Sequence, residues 1–316
     1  MSVGSERVLI TGGSGFIGAC LARDLIGGGQ EVHLLLRPNA NLWRLDGIKQ
    51  KLIIHWGDLC DGPGIRRIVR ECRPDVIYHL ATHGAYPFQK DRASILATNI
   101  LGTAYLLDTL DDHAYRAFIQ TGSSSEYGHK TGPMHEDDRL EPRTDYGVAK
   151  AAATLLCQVE AFKGRPVTTI RVFSAYGPWE EPRRLVPYVM DCCRQGIHPK
   201  VTAGRQPRDF IYVDDVVALL KTAAANANLR GQILHAGTGR QYSVREMVET
   251  IVAVCGRGQV AADFGVEPTR SGEPDSWVAS IDRTTSLTGW KPLVDVRMGV
   301  EKTWNWLQAR AASLAA

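Results

Sequence analysis

Tyr146 and Lys150 stand four residues apart in the segment YGVAK. On a helix that spacing places a phenol and an ammonium on one face, one turn apart. A phenol titrates at about 10 in water, too high for a good base at neutral pH. A cationic neighbour favours the phenolate, so the pair can take and give a proton. Upstream, Ser123, Ser124 and Ser125 in TGSSSEYG offer hydroxyls that can hold a reacting oxygen. Taken singly, YxxxK also reads as a surface pair, and a run of serines also reads as a self-capping turn.

A second device precedes these residues. TGGSGFIG sets Gly12, Gly15 and Gly18 between the apolar run VLIT and a helical pattern that opens at Phe16 and Ile17. Glycine permits the tight turn and the close approach of backbone N–H groups to a pyrophosphate, and the helix N-terminus adds favourable partial charge. A dinucleotide cradle followed by a Tyr–Lys pair points to hydride chemistry on a bound nicotinamide. The second strand ends at Leu36-Arg37, with Arg44 nearby. An acid there would grip a ribose 2′-hydroxyl, whereas a basic group suits a 2′-phosphate, so NADP(H) is expected over NAD(H). Asp58, in GDL with Leu59, is placed to meet the adenine amino group or to cap a helix.

The elements that must position these groups are legible as alternating patterns. Strands are expected at 8–11, 31–36, 51–59, 75–81 and 117–123, with helices after Phe16, around IRRIVREC and over 91–111. Short apolar strands separated by helices imply an α/β fold, a doubly wound parallel Rossmann sheet. Helices near 185–195, 214–225, 243–255 and 299–311 suggest a smaller C-terminal α/β part. The expected division is a cofactor domain over 1–175, with a return segment near 208–236, and a substrate domain over 176–316, mainly 176–207 and 237–316. Turn-rich stretches at 128–145, 176–184 and 265–276 exceed ordinary connections and are expected to carry the site.

Composition narrows the classes. The 316 residues are 44% hydrophobic and 22% charged with net charge +3, and no segment collects a block of Lys or Arg, which disfavours nucleic acid. The seven Cys form no CxxC pair and no metal-like grouping with His, so no metal site is expected and a reducing compartment is. The first strand begins too early to leave room for a signal peptide, and no apolar run reaches membrane-spanning length. A cytoplasmic protein is expected.

Seven segments in one order, TGGSGFIG, GDL, HLA at 79–81, NILGT at 99–103, TGSSSEYG, YGVAK and RDFIYVDD at 208–215, resemble the extended short-chain dehydrogenase/reductase family. The resemblance covers nearly the whole chain and implies a Rossmann domain, a nicotinamide cofactor and a nucleotide-diphosphate sugar substrate. It places Ser123 in the family's catalytic Ser/Thr position beside Tyr146 and Lys150, with Ser124 as the second candidate. It assigns Leu80, Ala81, Asn99 and Phe173 to the cofactor side. His83 and Tyr86 would face the sugar, and Arg208 and Arg270 the diphosphate, with Arg183 a further contact. Ser174 stands where many relatives have Asn. Family members commonly pair the helices near 91–111 and 146–163, which implies a homodimer.

Three reactions share such a scaffold. Dehydratases of the family this chain resembles place an Asp–Glu or Ser–Glu pair just after the catalytic hydroxyl, where this chain has Ser124 and Ser125 and displaces Glu126 unless a gap is allowed, which weakens the 4,6-dehydratase reading. A 4-epimerase keeps its NAD, which Arg37 disfavours. Reduction of the C4 ketone of a nucleotide-linked 4-keto-6-deoxyhexose by NADPH is therefore the expected activity; SSSEYG resembles reductases of such sugars, and GTGRQYSVREMVETI and FGVEPTRSGEPDSW are similar to segments of paratose and abequose synthases. A cofactor-binding regulator without turnover is the remaining alternative; such relatives usually lack the Tyr or Lys.

Overall fold

The computed structural model describes residues 5–112, 114–256, 258–268 and 273–315. Its first strand, β1 (Arg7–Thr11), shows why the apolar runs are unbroken. Val8 and Ile10 point into one core and Leu9 into another, so both faces of the strand are buried. The chain continues through α1 (Phe16–Gly27), β2 (Glu31–Leu36), β3 (Ile53–Trp56), α2 (Gly62–Cys72) and β4 (Val76–His79). Next come α3 (Arg92–Leu96), α4 (Gly102–Asp108), β5 (Ala117–Ser123), α5 (Asp145–Phe162), β6 (Val167–Val172) and β7 (Ser174–Tyr176). The remainder comprises α6 (Leu185–Gln195), β8 (Lys200–Val201), β9 (Pro207–Arg208), β10 (Phe210–Tyr212), α7 (Val213–Ala225), β11 (Ile233–Ala236), β12 (Tyr242–Ser243), α8 (Val244–Cys255), β13 (Asp263–Phe264), α9 (Asp282–Thr288) and α10 (Val296–Ala315).

Seven strands form one parallel sheet in the order β3-β2-β1-β4-β5-β6-β11. Helices α1 and α7 pack on one face, and α2, α4 and α5 on the other. This is the expected doubly wound Rossmann arrangement. Strand order reverses between β1 and β4, which opens a crevice at the carboxyl ends of the strands. A separate apolar cluster is built by Val186, Val189 and Met190 of α6, Met247, Val248 and Ile251 of α8, and Val296, Val300 and Trp304 of α10.

One expected helix, 91–111, is interrupted. A π-helical turn over Ala97–Leu101 separates α3 from α4. Its cause is local: Asn99 Nδ2 donates to the Ile95 carbonyl oxygen at 2.9 Å, competing for an acceptor of the helical ladder.

Candidate active site

A cleft of about 920 Å³ opens over the carboxyl ends of β1, β2, β4, β5 and β6, and the stretches 128–145, 176–184 and 265–276 all contribute to its walls. At its floor Gly12 has φ +73, and a Cβ there would come within 2.6 Å of the Ala81 backbone nitrogen. A Cβ on Gly18 would strike the Gly12 carbonyl oxygen. Only glycine therefore lets α1 start against the loop. No side chain caps α1, so its first N–H groups remain for a ligand. Gly15, Phe16, Ile17, Leu80 and Ala81 line the same floor. This cradle, closed to any Cβ and open at a helix N-terminus, fits a dinucleotide pyrophosphate.

At the far end β2 runs into Arg37, which is exposed on the cleft wall beside Asp58 and Leu59. Asp58 accepts from the Cys60 N–H at 2.9 Å, and the cap of α2 is Asp61 instead, accepting from Gly64 N–H at 3.1 Å. Arg44 is spent elsewhere: Nε donates to the Trp179 carbonyl oxygen at 2.7 Å and Nη2 to Glu181 at 3.2 Å.

The chemical end is built by β5 and α5. Ser123 closes β5 and caps the short helical turn Ser124–Glu126, its hydroxyl accepting from Ser125 N–H at 3.1 Å. Thr144 caps α5 through Gly147 N–H at 3.0 Å, which directs Tyr146 and Lys150 into the cleft with Ser123. Burial raises the Tyr146 pKa, and the Ser123 and Thr82 hydroxyls, as hydrogen-bonding partners, pull it back down. Burial lowers Lys150 to about 8, opposed by the nearby Glu126 carboxylate, so it stays mostly cationic at neutral pH. Its Nζ donates to the Thr121 carbonyl oxygen.

Glu126 is fully buried, and its carboxylate accepts from Ser123 N–H at 2.7 Å, Thr154 Oγ1 at 2.9 Å and Arg171 Nε at 2.8 Å. Arg171 also donates to the Tyr127 hydroxyl and to the Glu136 carbonyl oxygen, and Tyr127 bonds His235 at 2.6 Å. This is a scaffold under the serine turn, with no free carboxylate oxygen for chemistry.

The expected substrate residues divide. His83, Tyr86, Ser124, Ser174 and Arg208 line the cleft, as does Phe173 on the cofactor side. Ser124 accepts from Trp277 Nε1 at 3.1 Å. Arg208 is held by Glu273 at 2.8 Å. Arg183 lies off the cleft wall, pairing with Glu181 at 2.8 Å and covering the Phe88 ring. Asn99 also lies off it: buried, it accepts from Thr82 Oγ1 at 2.8 Å and His83 N–H at 3.1 Å and donates to the His83 carbonyl oxygen at 2.7 Å. It shapes the 82–83 loop. Arg270 lies outside the described residues.

Sequence reasoning missed Thr82, Glu180, Glu273 and Trp277, which all line the cleft. Glu180 is nearly fully buried, with Oε2 lacking a protein partner and Oε1 a weak 3.4 Å contact from Arg184, and burial raises it to about 7. Only its place in the turn-rich stretch 176–184 could have flagged it.

The model of the NAD dependent epimerase/dehydratase family matches residues 8–237. The chain belongs to that family. Members similar to it include a probable UDP-glucuronate 4-epimerase of Rhizobium meliloti, 28% identical over 95% of this chain and 96% of the relative. A dTDP-glucose 4,6-dehydratase of Streptomyces griseus is also 28% identical, over 96% of this chain and 94% of its own length. Among solved structures, MoeE5 in complex with UDP-glucuronic acid and NAD superposes with TM-score 0.83 at 28% identity, covering 96% of this chain and 99% of that one. The family is NAD-dependent; these comparisons give no support to a preference for NADP(H), and they include epimerases and dehydratases rather than the expected reductase. Among the described residues no helix is long and apolar enough to cross a membrane.

Proposed function

We propose that this chain catalyses oxidation and reduction at C4 of a nucleotide-diphosphate hexose, with 4-epimerisation as the net conversion. One observation carries the reading: Ser123, Tyr146 and Lys150 converge on one cleft, while Glu126, the carboxylate of the serine turn, is sealed by Arg171 and Thr154. The dehydratases that this chain resembles carry an acidic pair at that turn for elimination across C5–C6, and the sealed Glu126 weighs against that reaction here without excluding it. Ser123 and Tyr146 hold the C4 oxygen; Tyr146 removes its proton in one direction and returns it in the other. Lys150, one helical turn along α5 in the same cleft, would hold the cofactor ribose. The Gly12 cradle would hold the pyrophosphate of a nicotinamide dinucleotide, which would supply the hydride acceptor and donor when bound. The MoeE5 complex and the epimerase relative support a nucleotide sugar and NAD. Arg208 is positioned to take the diphosphate by charge-assisted bonds once released from Glu273.

A second reading, net reduction of a 4-keto sugar nucleotide by exchangeable NADPH, is favoured by Arg37, which stands at the ribose end where no acid follows β2. Both readings are tested by purifying the protein, identifying the dinucleotide that stays bound, and assaying UDP-glucose and UDP-glucuronic acid beside 4-keto-6-deoxy substrates. Retained NAD with inversion at C4 supports epimerisation. Consumption of added NADPH supports reduction, and Arg37→Ala should then weaken NADPH relative to NADH binding. Turnover with none of these substrates overturns both.

The surface also supports a homodimer. Val148, Leu155, Val159 and Phe162 form an exposed apolar stripe on α5. Sedimentation should give twice the chain mass.

A further inference from the structure

Away from the cleft, three side chains with metal-binding atoms meet where β2, β3 and α2 come together. His33 pairs across the sheet with Ile53, so His33 and His55 lie two residues apart along the strands and on the same face. Their rings stack at 5.2 Å, with His33 Nδ1 2.9 Å from His55 Nε2. Cys72, the last residue of α2, completes the group, and the donor atoms of all three lie within 4.8 Å of one another. None of the three lines the cleft.

We propose that His33, His55 and Cys72 bind one borderline-soft divalent cation of the zinc or cobalt class. The donor set is two imidazoles and a thiol, which suits such ions and not magnesium or calcium. The orientation of His33 is already fixed: Glu31 Oε1 lies 2.8 Å from its Nε2. A proton held on Nε2 by that carboxylate leaves the Nδ1 lone pair facing the cluster, the carboxylate–imidazole arrangement that supports metal-bound histidines. The Cys72 thiol would release its proton to solvent as the sulfur–metal bond forms. Glu31, Glu71 and Asp75 surround the group with negative charge.

Between the two imidazoles the geometry asks for little. Two imidazole nitrogens on one tetrahedral ion sit ~3.3 Å apart at ordinary bond lengths. The observed 2.9 Å requires an opening of a few tenths of an ångström. His55 lies on β3, the edge strand, which has a neighbour on one side only. The fourth position falls to water. Such an ion would tie β2, β3 and α2 together behind the ribose end of the cleft.

The test is anaerobic titration of the chelator-treated, full-length protein with Co²⁺. One equivalent should produce a thiolate-to-metal band in the near ultraviolet. Cys72→Ser should abolish the band, and Glu31→Gln should weaken binding by about 10–100-fold, the usual effect of losing a carboxylate behind a ligating histidine. Cys60→Ser, which removes an exposed thiol, should change nothing. Circular dichroism of each variant in chelator checks folding; if Cys72→Ser misfolds, His55→Gln at the sheet edge carries the test and should also lose tight binding. No band in the wild type, a band that persists in folded Cys72→Ser, or one lost in Cys60→Ser overturns the proposal.

Discussion

The two walls of the cleft are built on opposite plans. Beneath Ser123 every carboxylate oxygen of Glu126 has a partner, and the network continues through Arg171, Tyr127 and His235. Elsewhere along the cleft lining, Glu180 keeps an unpartnered buried oxygen and Arg208 is occupied by Glu273, its partner on another loop. The first wall pairs both Glu126 oxygens without a ligand and so supports the serine turn from beneath. The second is satisfied only provisionally, so a ligand has groups to recruit there. Rigid support beneath the chemistry and exchangeable pairs at the recognition wall fit an enzyme that places one oxygen tightly and selects by what is attached to it.

The sharpest way to break this contrast is to open the rigid wall. Arg171→Met leaves Glu126 as an uncompensated buried charge, and removing one partner of such a pair costs about 3–5 kcal/mol. Chemical denaturation should show that loss, and an unchanged midpoint would deny the network its supporting role. Tyr146→Phe removes the proton donor and leaves the wall intact. Turnover should fall by about 10²–10⁴ with little change in KM, as expected for a positioned acid or base; steady-state kinetics that show unchanged kcat exclude Tyr146 from the chemistry.

Smaller effects are expected across the cleft. Arg208→Ala loses a charge-assisted contact of about 1.5–3 kcal/mol, so KM should rise by roughly 10-fold or more with kcat largely kept. Glu273→Gln frees Arg208 and should lower KM instead; identical effects of the two variants would mean that the pair is only structural. The last sharpening uses pH. Burial pushes the Glu180 carboxyl up to about 7 in the folded chain from its ordinary 4.5, so between those values the native state binds the extra proton. Its contribution to stability is therefore present at low pH and lost as pH rises through about 7. Glu180→Gln should flatten the fall in Tm over that window, and an unaltered profile would show that Glu180 ionises normally.

What the sequence reveals follows the range of the interactions. The glycine turn, the Ser123 turn and the Tyr146–Lys150 pair are short segments whose spacing alone dictates geometry, and the sheet follows from apolar runs buried on both faces. Arg44 lines the cleft near Arg37, but its partners, Trp179 and Glu181, lie on a loop far along the chain and leave no local signal. Thr82, Glu180 and Trp277 carry no local signature; loop packing brings them to the cleft. The helix over 91–111 hid a π-helical turn because apolar periodicity does not register the hydrogen bond from Asn99 to Ile95. His33, His55 and Cys72 have no metal-like spacing, since three elements bring them together.

The central claim is redox chemistry at C4 without elimination at C5–C6. The most direct measurement is nuclear magnetic resonance of the products formed from UDP-glucose and dTDP-glucose, with and without added NADPH, and from a 4-keto-6-deoxy sugar nucleotide with NADPH. The expected result is a product with inverted or newly reduced C4 and an unchanged C6. Accumulation of a 4-keto-6-deoxy sugar from either glucose nucleotide would contradict it, because that product requires an elimination that the sealed Glu126 cannot assist.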